Sequence, residues 1–159
     1  MITSTSSSQV KHVVNLQKKA KLRKEEKQFV VEGVKMVSEA PADRLVKVYV
    51  SETFKADNEE FLERMNYDSI GKDVLEIVTD NVFMRMADTQ TPQGIMAVVR
   101  MSDTDLEGIL SDKRNPLLLI IENLQDPGNL GTIVRMAEGA GVTGIIMSSN
   151  TVDIYNPKT

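Results

Sequence analysis

The sequence predicts an α/β chain built in two parts of unequal size. Three observations carry that expectation. Short β-branched runs alternate with helical segments from residue 9 to residue 100. The alternation then breaks at a polar, acidic stretch over residues 101–115. Beyond it, two strongly apolar runs, LLLII at 117–121 and VTGIIM at 142–147, flank one helical segment. Together they give a three-layer α/β domain over 1–100, a linker over 101–115, and the first β-α-β portion of a second α/β domain over 116–159.

Each element has a local reason. The Ser/Thr-rich start, residues 3–9, ends at a Ser N-cap such as Ser8. Residues 9–20 place Val10, Val13, Val14 and Ala20 near helical spacing, which predicts an amphipathic helix. Residues 21–28 are charged and poorly periodic. FVVEG at 29–33 reads as a strand that ends in a turn. Val34, Met36 and Val37 then predict a short helix, stopped by Pro41. LVKVYV at 45–50 is a strand, 58–65 a helix capped by Asp57 or Asn58, and 74–78 a strand. Residues 80–87 follow as a helix capped by Thr79 or Asp80. Pro92-Gln93-Gly94 is a turn before the strand IMAVV at 95–99. The order α-β-α-β-α-β-α-β predicts a largely parallel sheet. The run at 117–121 is apolar on both faces, as a buried parallel strand would be.

Composition narrows the chemistry. The 159 residues are 41% hydrophobic and 26% charged, the balance of a folded globular chain. The absence of cysteine excludes disulfides, thiolate metal sites and a thiol nucleophile. One His cannot build a His-based zinc site, so no metal is expected. No apolar run approaches the length of a membrane span, and the start lacks a secretory pattern, so a cytoplasmic protein is expected.

The net charge of -4 is unevenly placed. Residues 1–35 hold eight basic and three acidic residues, a local excess of +5 on an acidic chain. Lys18, Lys19, Lys21, Arg23 and Lys24 form the densest part of that cluster. Such a cluster is either a phosphate-backbone contact or a solvated helix face. His12 lies on the same helix and is read as a surface or phosphate-contacting residue.

The densest chemistry lies at 122–135, between the first apolar strand of the second part and its helix. In open α/β sheets ligands bind at the carboxyl ends of the strands. Pro127 and Gly128 force a turn there, Asn129 is a candidate N-cap, and the amides of the helix start favour an anion. Ile133, Val134, Ala137 and Ala140 share the face expected to pack on the sheet. Arg135 projects from another face, on the side of Gly131, and suits bidentate phosphate recognition. The alternatives are structural: Gly131 and Gly139 permitting close helix–strand packing, Arg135 pairing with Glu138, Asp126 and Asn129 serving only as turn and cap. The glycine pattern is neither a dinucleotide fingerprint nor a P-loop.

Residues 122–141, ENLQDPGNLGTIVRMAEGAG, resemble the first motif of the SpoU (TrmH-type) RNA 2'-O-ribose methyltransferases of the SPOUT superfamily. FVVEG at 29–33 with Val37, Glu39 and Ala40, and TPQGIMAVV at 91–99, resemble that family's RNA-substrate-binding domain, so Glu32 and Gly33 join the candidate RNA contacts. The resemblance implies a ribosomal-protein-like N-terminal domain that holds RNA, and a trefoil-knotted catalytic domain that dimerises. It implies methyl transfer from S-adenosylmethionine to a ribose 2'-hydroxyl in rRNA or tRNA, with rRNA the first choice of partner. Asn129 and Arg135 match the family's active-site Asn and Arg, and Glu122 and Asp126 would shape the same loop. An Arg stays protonated, so Arg135 is expected to anchor a phosphate and stabilise the developing alkoxide, with a phosphate oxygen taking the proton. The family's later motifs, which supply the knot and most of the cofactor pocket, are expected beyond Thr159. The chain is therefore expected to be a fragment that is inactive alone. Two other readings stay open: a non-catalytic RNA-binding module, for which residues 1–100 suffice, and a small-molecule α/β enzyme using the 122–135 loop.

Overall fold

A computed structural model describes residues 1–65, 74–103, 105–111 and 115–159. It divides into two compact units, Met1–Met101 and Ser102–Thr159. Asp112, Lys113 and Arg114 of the expected linker lie outside the described residues.

The first unit opens with α1 (Ser8–Lys18) and α2 (Ala20–Glu26), then β1 (Gln28–Glu32) and α3 (Val34–Glu39). β2 (Leu45–Ser51) follows, with α4 (Glu52–Asp57), α5 (Glu59–Arg64), β3 (Leu75–Val78), α6 (Asp80–Met86) and β4 (Ile95–Arg100). Two of these helices carry a side-chain cap, the Thr79 one as expected, whereas Asn58 at the start of α5 makes no capping hydrogen bond. Ser51 Oγ accepts from Phe54 N at 3.1 Å, and Thr79 Oγ1 accepts from Val82 N at 3.4 Å. α2 and α4 are helices where the sequence pattern gave none; α2 spans the stretch read as poorly periodic, and half-buried Leu22 packs it onto the core.

The four strands form one sheet in the order β1-β4-β2-β3. β2 and β3 are parallel, but β4 runs antiparallel to both β1 and β2. The expectation of a largely parallel sheet is therefore corrected to a mixed one. A parallel crossover needs a helix that carries the chain the length of the sheet. α6 has seven residues, about 10 Å of helix, and the segment 87–94 brings the chain back to the edge it left. β4 then enters from that edge and fills the place between β1 and β2.

β4 is apolar on both faces because both are covered. Met96 and Val98 pack with Val10, Val13 and Leu16 of α1 and with Val82, Phe83 and Met86 of α6. Ile95, Ala97 and Val99 pack on the other side with Val37, Phe54 and Leu62 from α3, α4 and α5. Helices on both faces make the three layers that the alternation predicts.

Tyr49 of β2 lies in the first of these cores, 3% exposed, and its hydroxyl donates to Gln9 Oε1 at 3.1 Å. Burial, with the nearby Glu76 charge, pushes its phenol from 10.0 to about 12. The raised value favours the neutral phenol in the folded chain. The unfolded chain releases the proton near 10.0, so stability is intact below that pH and falls as pH rises towards 12. The loss across that window is about 2 kcal/mol. Tyr49→Phe is expected to abolish this alkaline slope in urea-unfolding curves, and an unchanged slope would assign it elsewhere.

The second unit contains α7 (Leu106–Leu110), β5 (Leu118–Ile121), α8 (Pro127–Gly139) and β6 (Gly144–Met147). β5 and β6 pair in parallel, Leu118 opposite Gly144 and Ile121 opposite Met147, with α8 between them in sequence. Ile121, Leu130 and Ala137 are buried. The expected burial of both faces of β5 is corrected: Ile121 is buried but Ile120 is 73% exposed, because successive strand residues face opposite sides and the Ile120 side is left open.

Candidate functional site

The basic cluster is carried by the first two helices. Lys18, Lys19, Lys21 and Lys24 are exposed, and Lys21 lies 3.7 Å from Glu25, one turn on. Arg23 is different. Only 2% exposed, its guanidinium donates to the carbonyls of Leu16 at 2.6 Å and Gln17 at 2.8 Å. These are end carbonyls of α1, which have no partner within their own helix. Arg23 therefore fixes the bend between α1 and α2 and is withdrawn as a phosphate contact. His12 is likewise occupied, its Nε2 lying 2.6 Å from Glu26 Oε2 across the same pair of helices.

The structure separates the lysines from Glu32 and Gly33. α2 feeds the N-terminal end of β1, whereas Glu32 and Gly33 close its C-terminal end. Four strand steps, about 13 Å, lie between Gln28 and Glu32. At that second end several elements meet. Glu32 opposes Met96, Val50 opposes Ile95, and Ser51 opposes Val78. The C-terminal ends of β1, β2 and β3 thus share one edge with the start of β4.

The segment 88–94 is tied across this edge. Glu32 accepts from Asp88 N at 3.2 Å and from the Thr89 hydroxyl. Gln93 Oε1 accepts from Val34 N at 2.8 Å, which satisfies an amide at the start of α3. Gly33 has φ +99°, and a Cβ there would stand 2.9 Å from Gln93 Oε1. Asp80 accepts from Thr53 Oγ1 at 2.6 Å and from Thr53 N at 3.3 Å, joining the starts of α4 and α6. The Thr53 hydroxyl, then Ser51 and the Thr53 amide, hold its carboxyl below the usual value. Two clefts flank Gln93. One, of about 350 Å³, is lined by Glu32, Gly33, Lys35, Met36, Thr89 and Thr91; the other, of about 340 Å³, by Thr53, Asp57, Asn58, Asp80 and Met84 among others. The sequence offers Gln93 only within TPQGIMAVV and Asp80 only as a possible cap, and singles out neither. Their signal was faint, a polar residue before a glycine and an acid at a helix start, which turn and cap chemistry already explain.

In the second unit, residues 122–126 leave β5 at its carboxyl end and are laced to the chain that leaves β6. Asn123, with φ +53°, donates its N–H to Ser148 Oγ at 3.0 Å. Gln125 Nε2 donates to Asn150 O at 2.6 Å, and Val152 N to Leu124 O at 2.8 Å. The N-cap of α8 is Asp126, whose Oδ1 accepts from Asn129 N at 2.6 Å, with Pro127 at the first helical position. The expectation of Asn129 as cap is corrected: its side chain stands exposed in the first turn. The Asn129 N–H that would favour an anion at this helix start is already used by the Asp126 carboxylate, which leaves Arg135 as the positive group on this helix.

Arg135 is exposed, and its Nη2 donates to Thr132 Oγ1 at 3.3 Å. The Thr132 hydroxyl donates in turn to Gly128 O at 3.0 Å. This relay ties the guanidinium to Thr132 and, through it, to the Gly128 carbonyl at the start of α8. Gly131 is buried, and a Cβ there would overlap the Thr159 carbonyl oxygen, so what lies against it is the Thr159 backbone rather than a strand. Gly139 faces open space and Ala140 is exposed, so neither packs on the sheet as expected.

Family comparison agrees with this division. Residues 7–97 match the model of the MRM3-like substrate binding domain, and residues 116–159 match that of the SpoU rRNA Methylase family. The chain is 32% identical over 155 residues to human "rRNA methyltransferase 3, mitochondrial", covering 92% of this chain and 34% of that protein. It is 33% identical over 166 residues to the "Uncharacterized tRNA/rRNA methyltransferase slr1673" of Synechocystis, covering 99% and 56%. An rRNA methyltransferase from Sinorhizobium meliloti with AdoMet bound superposes with a TM-score of 0.81 at 24% identity, over 99% of this chain and 57% of that one. The chain thus spans between about a third and somewhat over half of these relatives' lengths.

Proposed function

Since the chain belongs to the SpoU (TrmH-type) family, with an MRM3-like substrate-binding domain over residues 7–97, we propose that the protein carrying it methylates a ribose 2'-hydroxyl of rRNA. The observation that carries this reading is the placement of Arg135. It stands exposed on the helix that follows the carboxyl end of a parallel strand, with its guanidinium hydrogen-bonded to Thr132. S-adenosylmethionine, when bound, supplies an electrophilic methyl group. On this reading its binding residues lie in later motifs of the family, beyond residue 159.

The chain's own residues account for the other half of the step. Arg135 anchors the phosphate next to the target ribose through its planar fork. Its fixed positive charge stabilises the 2'-oxygen as the proton leaves, and that proton passes to a phosphate oxygen, since an Arg cannot take it. Asn129, one turn before Thr132, offers an amide to the ribose or the phosphate. The exposed lysines of α1 and α2 hold the RNA backbone through charge. Cytoplasmic action and a homodimer complete the proposal.

In the full-length protein, Arg135→Ala is expected to cut methyl transfer by about 10³-fold, the scale of losing one preorganised charge-stabilising donor. Its melting temperature should not change, because Arg135 is exposed. Residues 1–159 alone are expected to transfer nothing. Full activity in the Arg135→Ala protein would sink the assignment.

A further inference from the structure

The two clefts beside Gln93 do not suit a phosphate backbone. Their charged lining residues are three carboxylates, Glu32, Asp57 and Asp80, against the single ammonium of Lys35. The remaining polar lining is hydroxyl and amide, and the apolar lining is the thioethers of Met36, 52% exposed, and Met84, 57% exposed, with Phe54, Phe83 and Pro92 behind them. This composition matches unpaired bases. Carboxylates accept from base amino groups, amides and hydroxyls pair with base edges, and a methionine sulfur makes favourable contact with an aromatic ring.

Gln93 separates the two clefts and has a fixed orientation. Its Oε1 must face Val34 N, because an N–H can only be met by an acceptor. The amide nitrogen, with two N–H donors, is therefore the end turned towards a ligand. Building on the RNA reading above, we propose that this sheet edge seats unstacked nucleotides of a single-stranded RNA segment, one on each side of Gln93, with the Gln93 amide donating to a base. The lysines of α1 and α2, at the other end of β1, then serve position, and this edge serves selection. Base-paired RNA cannot use the edge, since its bases are stacked and their pairing edges occupied.

Gln93→Glu separates a ligand contact from a structural role. It keeps an acceptor for Val34 N and deletes both donors. Fluorescence anisotropy of the full-length protein with a short labelled single-stranded RNA, and with its blunt duplex, reads the difference. Gln93→Glu is expected to weaken single-strand binding by about tenfold and leave duplex binding and the salt slope unchanged. Met36→Ala, at an exposed position where folding is not at stake, is expected to act in the same direction. If both variants hold the single strand as wild type does, or weaken both RNAs equally, the proposal is wrong. If the wild-type protein holds neither RNA, the RNA reading fails and takes this one with it.

Discussion

With Lys18, Lys19, Lys21 and Lys24 all replaced by Gln, RNA affinity is expected to fall by about 100-fold at moderate salt, and its salt dependence to flatten. Each neutralised phosphate of a single strand contributes about 0.7 to the log–log slope, so four lost contacts remove about 3. All four ammonium groups are exposed, so none has a folding role to confuse the result. Melting temperature should stay within the change of about 0.5 kcal/mol typical of surface substitutions. Arg23→Gln provides the contrast. Its guanidinium serves the carbonyls of Leu16 and Gln17, so the variant should lose about 2 kcal/mol of stability. An unchanged salt slope in the quadruple variant would remove α1 and α2 from the RNA interface.

Gly94→Ala is expected to destabilise the N-terminal unit by about 3 kcal/mol, from left-handed backbone strain and steric overlap together. Gly94 has φ +85°, and a Cβ there would lie 2.7 Å from Phe54 Cβ and 2.9 Å from Ser51 Oγ. Neither neighbour can yield cheaply. Ser51 Oγ caps α4, Ser51 N donates to Gly94 O at 2.9 Å, and Phe54 is in the core beneath. The melting temperature should drop by more than about 10 °C, given the size of the unit. A shift of only a degree or two would mean that α4 does not sit against this turn. The effect would also reach RNA binding, because Gly94 borders the cleft that holds Asp80 and Met84.

How far the sequence could be read varies residue by residue. β4 was legible as a covered strand because its run of Ile95 to Val99 is apolar on both faces, and both faces are buried. Its direction was not legible. That depends on where a short α6 and the segment 87–94 deliver the chain, and no local periodicity records it. α2 escaped notice because Arg23, a charged residue in the pattern, is buried by hydrogen bonds that only the folded α1 provides. The cap of α8 was misassigned although the signal was present: Pro127 prefers the first helical position, which makes Asp126 the cap. Arg135 and Asn129 stand in one contiguous motif, which is why the sequence alone singles them out. The Gln93 edge was legible only in part: FVVEG and TPQGIMAVV carry Glu32, Gly33 and Gln93, but no local pattern joins them to Asp80 and Met84 from another turn.

The most direct test is the position of the methyl group. Full-length protein, tritiated S-adenosylmethionine and rRNA would be incubated together, and the RNA then hydrolysed with alkali. A 2'-O-methyl group blocks cleavage at its own nucleotide, so the label is expected in alkali-resistant dinucleotides and to vanish with Arg135→Ala. Label released on mononucleotides, as base methylation would give, or no label in rRNA at all, would contradict the assignment of ribose methylation.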